Sequence, residues 1–229
     1  MPSPPSLTPD VVYAPPPDLS LTPVWLDDDL VVLDKPSGLL SVPGRGADRA
    51  DCMLSRAEAR WPGVQVVHRL DMATSGLLVF GRHDAAQRAL SLAFAGRHSL
   101  KRYEAVVHGV VGPDAGEIDL PLITDWPRRP LQKVCHDQGK PSLTRFEVTE
   151  RRPDLGWSRV ALTPVTGRSH QLRVHLLAIG HPIVGDPLYG PGELATAPVP
   201  GRLLLHARAL GLPHPADGRA MQWACPVPF

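Results

Sequence analysis

The chain has 229 residues, 43% of them apolar, with 24 basic and 23 acidic side chains and a formal net charge of +1. Such a chain can bury a sizeable core, as one domain or two small ones, and is too apolar to be a disordered segment. No run approaches the roughly 18 apolar residues that span a bilayer, and no basic stretch leads into an apolar leader. Cys52, Cys135 and Cys225 form neither a CxxC pair nor an even disulfide framework. A reducing cytoplasm is therefore the expected setting.

The small net charge hides an asymmetry. Residues 1–34 carry six aspartates and no Lys or Arg, so 17 acids face 24 cations from Lys35 onward. Twenty of those cations are arginine, the side chain suited to phosphate forks and base stacking. A plain bias of Arg over Lys accounts for that count equally well.

Residues 1–23 are proline-rich (PSPPSLTP, APPPDLSLTP) and aperiodic, so a flexible or extended tail is expected there. The body is expected over 24–229. VVLDKP reads as a strand ended by Lys35-Pro36, and the turn-rich SGLLSVPGRG follows. A short helix is predicted over 51–60. Strands over Gln65–Val67 and Leu77–Arg82 flank a polar loop. Asp84 is the predicted N-cap of a helix to Ala95, with apolar residues at helical spacing. Tyr103–Val111, Thr144–Thr149 and Arg159–Leu162 read as β. A helix is predicted over Ser169–Ile179, ended by Gly180, and late strands over Leu203–Leu205 and Met221–Ala224. There is no βαβ alternation, repeat or GxGxxG, so the expected class is α+β with a largely antiparallel sheet.

Three segments carry chemistry. The first is HRLDMATSG, His68–Gly76, a polar loop between two apolar strands. Loops held by rigid strands are where sites are built. Asp71 can act as nucleophile or base, and Arg69 can bind phosphate or stack. A lone aspartate in such a loop is more often a turn cap; the neighbours argue otherwise. The second is TGRSHQLR, Thr166–Arg173. Leu172, Leu176 and Ile179 make the core face, while His170 and Arg173 share another. Arg168 and Arg173 crowd the helix N-terminus, where the dipole disfavours cations by up to about 1 kcal/mol. They call for an anion, either a buried carboxylate or an RNA phosphate. The third is Lys101-Arg102-Tyr103. Tyr103 could stack on a base, although a strand tyrosine is more often packing.

Together the three segments resemble the RluA family of pseudouridine synthases. HRLDMATSG matches the family's HRLDxxTSG loop, KRY its Lys-x-Tyr motif, and TGRSHQLRVH its TGRxHQ motif with the following Arg. GHPIVGDPLYG and RLLLHA look like later landmarks. Five segments agree in order over about Val24–Ala224. DKPSGLLSVPGR, DLPLITDWPRRPLQKVC and GKPSLTRFEV resemble the dual-specificity branch, which modifies 23S rRNA and the anticodon stem-loop of certain tRNAs.

The resemblance implies a catalytic domain with a central, mostly antiparallel mixed sheet flanked by helices and loops, without an S4 domain. It implies cleavage of the uridine N1–C1′ bond, rotation of the base and joining of C5 to C1′, with no metal or other cofactor. It makes Asp71 the nucleophile, Arg173 its partner, Tyr103 the residue packing on uracil and a candidate base, and Arg69 the residue filling the vacated stack. Arg102, Arg128, Arg129, Lys133 and Arg168 become candidate phosphate contacts. His68, Thr74, Gln171 and Leu172 become residues that shape the site. The expected partners are RNA alone, with no membrane and no obligate protein, and the expected state is a monomer.

Other readings fit less well. The order HRLD is not the kinase HRD, and no Gly-rich loop or DFG accompanies it. A glycosidase needs a second placed carboxylate, and a zinc deaminase needs HxE with PCxxC. A non-catalytic RNA-binding protein would keep the arginines but would not need Asp71, Tyr103 and Arg173 together. A specialist for rRNA or tRNA alone stays open within the enzyme reading.

Overall fold

A computed structural model describes residues 13–18 and 20–229; residues 1–12 and 19 of the expected tail lie outside these. Residues 13–18 run beside the body. The Tyr13 hydroxyl donates to Asp51 O at 2.8 Å and accepts from Leu40 N at 3.0 Å, and Arg56 donates to Pro16 O at 2.7 Å.

The strands are β1 (Trp25–Leu26), β2 (Leu30–Lys35), β3 (Gln65–Val66), β4 (Ser75–Gly81), β5 (Leu100–His108), β6 (Ala115–Asp119), β7 (Leu122–Thr124), β8 (Gln132–Val134), β9 (Leu143–Arg152), β10 (Trp157–Pro164), β11 (Leu205–Pro213) and β12 (Ala220–Ala224). The helices among the described residues are α1 (Met53–Arg60), α2 (Asp84–Ala95) and α3 (Gln171–Ala178). The main sheet runs β1-β2-β4-β11-β5-β10-β9-β6. All its pairings are antiparallel except β4 with β11. The expected α+β class with a mostly antiparallel mixed sheet is what the chain adopts.

The parallel pair is short: His206 and Ala207 face Ser75 and Gly76. Beyond it the strands diverge. β3 then adds to β4, and β12 adds to β11. Gly76 has φ +114°, and a Cβ there would collide with the backbone of Ala207. Only glycine lets the two strands approach so closely at the exit of the 68–76 loop.

β4 is buried along its whole length, which is why it reads as a continuous apolar run rather than an alternation. Leu77 and Val79 pack with Leu90 and Ala93 of α2 on one face. Leu78 and Phe80 pack with Met53 and Ala57 of α1 on the other. A third cluster joins Leu172 and Leu176 of α3 to β5, β10 and β11. Both faces of the central strands are thus covered, and the 68–76 loop is held from three sides.

Two expected boundaries are corrected. The N-cap of α2 is His83, not Asp84: its Nδ1 accepts from Ala86 N at 3.2 Å, and Asp84 takes the first helical position. α3 begins at Gln171 rather than Ser169, because His170 is left-handed at φ 55°. The short strands β1, β6, β7 and β8 carry too little periodicity to be read from sequence.

Candidate active site

A cleft of about 650 Å³ opens between the 68–74 loop, Tyr103 of β5 and the 166–173 segment. Asp71 stands in its wall with a 29%-exposed side chain. The loop carrying it is clamped from below by residues 35–41. Ser41 Oγ accepts from Leu70 N at 3.0 Å and donates to Leu70 O at 2.7 Å. Gly38 N donates to Met72 O at 2.9 Å and Ser37 Oγ to Ala73 O at 2.7 Å. Lys35 is fully buried, and its Nζ donates to the carbonyls of Pro36, Leu39 and Met72 at 2.9, 2.7 and 3.1 Å. Burial pulls its ammonium down to about 7, opposed by the charge of Asp71. Read from sequence, Lys35 is only a strand terminator; nothing in the pattern separates a buried lysine from an exposed one.

The opposite wall is built on α3. Arg173 is 97% shielded from solvent, with 3% exposure. Its Nη1 donates to Asp71 Oδ2 at 3.2 Å, so the predicted pair exists. The stronger partner is Asp186, which takes Nε at 2.8 Å and Nη2 at 2.7 Å. Asp186 is itself fully buried, and its Oδ1 also accepts from Leu188 N and Tyr189 N at 2.9 and 3.1 Å. Burial works against the Arg173 charge, yet the pairings with Asp186 and Asp71 outweigh it and hold the guanidinium above its ordinary value. The anion that the helix dipole requires is therefore a buried carboxylate from a distant loop. Asp186 falls in GDPLYG, a segment that the sequence marks as a landmark without indicating what it touches.

His170 lines this wall with Tyr189 behind it, and neither is among the predicted site residues. His170 Nδ1 lies 2.6 Å from Tyr189 Oη, and His170 Nε2 lies 3.8 Å from Asp71 Oδ1. The Tyr189 ring sits 5.0 Å from the Arg173 guanidinium carbon. A left-handed backbone costs a non-glycine residue about 1–3 kcal/mol and concentrates at functional sites.

The remaining predicted residues divide into two groups. Tyr103 faces the cleft; burial first, and Asp71 second, push its phenol well above the ordinary value. It is a neutral ring suited to packing on a base, and in the free protein it holds its proton tightly. His68 stacks on Phe94 with centroids 4.5 Å apart and accepts from Val79 N at 3.1 Å. Gln171 Oε1 accepts from Thr166 Oγ1 at 2.7 Å and Arg168 N at 3.0 Å, fixing the turn into α3. Thr74 and Leu172 are buried cleft-lining residues, while Arg69 and Arg168 are exposed at its rim.

Arg102 does not line the cleft; it lines a second depression together with Tyr103, Arg145 and Arg208. Arg128, Arg129 and Lys133 do not line the cleft. They lie on the β7–β8 hairpin, Arg128 and Lys133 against Asp125 and Arg129 over the ring of Trp126 at 3.7 Å. That hairpin still connects to the site through Tyr189, because Gln132 N donates to Tyr189 Oη at 2.7 Å and Tyr189 Oη lies 2.6 Å from His170 Nδ1.

Two groups among the described residues could hold a metal, Asp34-His206-Cys225 and Asp27-Asp29-His214, and neither lies in the cleft. In each the donors already pair with one another: His206 Nε2 with Cys225 Sγ at 3.0 Å, and His214 Nε2 with Asp27 Oδ2 at 3.1 Å. Among the described residues no helix is long and apolar enough to cross a membrane.

Buried neutral histidines set an acid limit. Burial, then Lys101, lowers His68 to about 3; burial, then Arg202 and Arg208, lowers His206 to about 4. Both folded values lie below the unfolded value of 6.5. The unfolded chain therefore binds more protons below that pH. The stabilisation is complete above 6.5 and is lost as pH falls towards 4, by at most about 1.4 kcal/mol per pH unit per histidine. Urea unfolding should show midpoints falling steadily from pH 6.5 to 4.5, with a shallower slope in His206→Gln. Constant midpoints would mean that these histidines are charged in the folded protein.

A cleft at the divergence of a mixed sheet, with an aspartate paired to a helical arginine and a neutral tyrosine beside it, defines a class. The family model for RNA pseudouridylate synthase matches residues 29–178. The chain belongs to that family of RNA-modifying isomerases and, within it, to the RluA group. It is 50% identical over 218 residues to the dual-specificity RNA pseudouridine synthase RluA of Escherichia coli K12, covering 95% of this chain and 98% of that one. It is 51% identical over 206 residues to the protein of that name from Vibrio vulnificus, covering 89% and 82%. Among solved structures it is similar to human RNA pseudouridylate synthase domain containing 1, with a TM-score of 0.74, 31% identity and 97% and 87% coverage.

Proposed function

We propose that this protein converts specific uridines to pseudouridine in both 23S rRNA and the anticodon stem-loop of tRNA, with Asp71 as nucleophile. The observation that carries the reading is the Asp71 carboxylate at the cleft wall, 3.2 Å from a buried guanidinium and facing the same cavity as Tyr103. Arg173 sets its guanidinium against the carboxylate and orients it for attack. Extruding the base costs a few kcal/mol, and the exposed Arg69 at the rim enters the vacated stack. Tyr103 packs its ring on the flipped uracil. Arg168, Arg102 and the hairpin cations Arg128, Arg129 and Lys133 contact phosphates. The isomerisation exchanges a C–N bond for a C–C bond without net redox, so it requires no redox cofactor. The catalytic body is residues 24–229, acting as a cytoplasmic monomer with RNA as its partner. The near full-length identity to relatives named dual-specificity supports the pair of substrates.

Pseudouridine mapping in 23S rRNA and tRNA of a deletion strain tests this. One position in each RNA should lose pseudouridine and regain it with the wild-type gene but not with Asp71→Asn. Loss in one RNA class alone would make the protein a specialist. Loss in neither would overturn the reading.

A further inference from the structure

We propose that His170 is a positioning residue for Asp71, kept in place and in a single tautomer by Tyr189. The proposal rests on the assignment of Asp71 as nucleophile.

Asp71 has two carboxylate oxygens, and Arg173 fixes only one of them. Oδ2 takes Nη1 at 3.2 Å. Oδ1 faces His170 Nε2 at 3.8 Å, just beyond hydrogen-bond reach. A carboxylate held through one oxygen can still swing about that contact; a donor this near Oδ1 limits the swing, and closing the gap by under about 1 Å when RNA fills the cleft makes the second bond that fixes the attacking lone pair.

The hydrogen bonding around Tyr189 says which atom of His170 carries the proton. Tyr189 Oη already accepts from Gln132 N at 2.7 Å. Its own O–H then has His170 Nδ1 as acceptor, 2.6 Å away. That leaves the imidazole N–H on Nε2, the ring nitrogen 3.8 Å from Asp71 Oδ1. Burial favours the neutral imidazole, since it lowers His170 while Asp71 opposes it. The charges of Arg173 and Arg69 also disfavour its protonation and that of Asp186 favours it, with burial deciding the direction. A neutral N–H donor can orient the carboxylate without competing for the charge that Arg173 balances.

The backbone gives independent support. His170 is one of two non-glycine residues with positive φ among the described residues, at φ 55°. That conformation ends the turn from Arg168 at a residue that lines the cleft. Tyr189 is meanwhile joined to three elements: Arg173 beneath its ring, His170 at its hydroxyl, and the β8 backbone through Gln132. The hairpin that carries Trp126 and Arg129 is thereby linked through one phenol to the residue facing the nucleophile.

The test measures single-turnover release of tritium from unmodified tRNA and 23S rRNA transcripts labelled at uridine C5, with RNA affinity measured in parallel. His170→Ala should slow the chemical step 10- to 100-fold with RNA affinity within twofold of wild type. His170→Gln, whose amide can place an N–H near the site of Nε2, should recover at least half of the lost rate on a logarithmic scale. Tyr189→Phe removes one oxygen and serves if His170→Ala does not fold; it should slow the step 3- to 10-fold. Wild-type rates in His170→Ala, or in Tyr189→Phe if that is the variant that folds, overturn the proposal. So does a His170→Gln protein no faster than His170→Ala. Asp71→Asn is run beside them: turnover in that variant removes the nucleophile assignment itself, whereas an inactive Asp71→Asn with a fast His170→Ala removes only the role of His170.

Discussion

Asp71→Asn should lower pseudouridine formation by about 10⁴-fold or more, the scale expected when a covalent nucleophile is removed. The fold should survive. The side chain is 29% exposed, and Asn keeps an oxygen for Arg173 Nη1. Arg173 retains both of its hydrogen bonds to Asp186 in any case. The loop is shaped by the backbone bonds of Leu70, Met72 and Ala73 to residues 37–41, none of which involves the Asp71 side chain. Stability should therefore change by less than about 1 kcal/mol, and RNA affinity should be close to wild type. Tritium release, urea unfolding and filter binding read the three quantities separately. Turnover within tenfold of wild type would remove Asp71 from its role. A large loss of stability would mean that the carboxylate is part of the architecture rather than a group kept free for chemistry.

Much of this site can be read in the sequence because its residues sit in two short contiguous runs. His68–Gly76 and Thr166–Arg173 each place several chemically distinct side chains within a few residues of one another. The helical spacing of Leu172, Leu176 and Ile179 then puts Arg173 off the core face; the two leucines are in the cluster beneath α3, whereas Ile179 lies past the end of the helix and is exposed. What stays hidden depends on tertiary contact. Asp186 lies 13 residues from Arg173, in a loop without periodicity, and its burial is set by how that loop folds back. Lys35 looks like the end of a strand and becomes a buried clamp only because the 36–41 turn closes over it. Arg102 sits beside Tyr103 in a motif yet lies outside the cleft, along a second depression that the motif does not announce. The helix start also moved, because the left-handed backbone of His170 is imposed by its surroundings and leaves no mark in helix propensity.

Arg173 joins two carboxylates, and its two roles should come apart in a pair of variants. Arg173→Leu leaves Asp186 buried without a counter-charge, which costs about 3–5 kcal/mol. For a domain of this size each kcal/mol lowers Tm by roughly 2–4 °C. The same change removes the guanidinium that orients Asp71, so activity should fall with stability, and the single variant cannot separate the causes. Adding Asp186→Asn removes the stranded charge while keeping an oxygen for Leu188 N and Tyr189 N. The double variant should regain at least about 2 kcal/mol over Arg173→Leu, since replacing both partners of a buried pair is far less costly than removing one. Its activity should stay as low as in the single variant, because Asp71 still lacks the 3.2 Å contact from Nη1. Differential scanning calorimetry and tritium release together decide it. If activity returns along with stability, Arg173 acts only through the architecture. If stability alone returns, the guanidinium serves catalysis through Asp71 and the fold through Asp186.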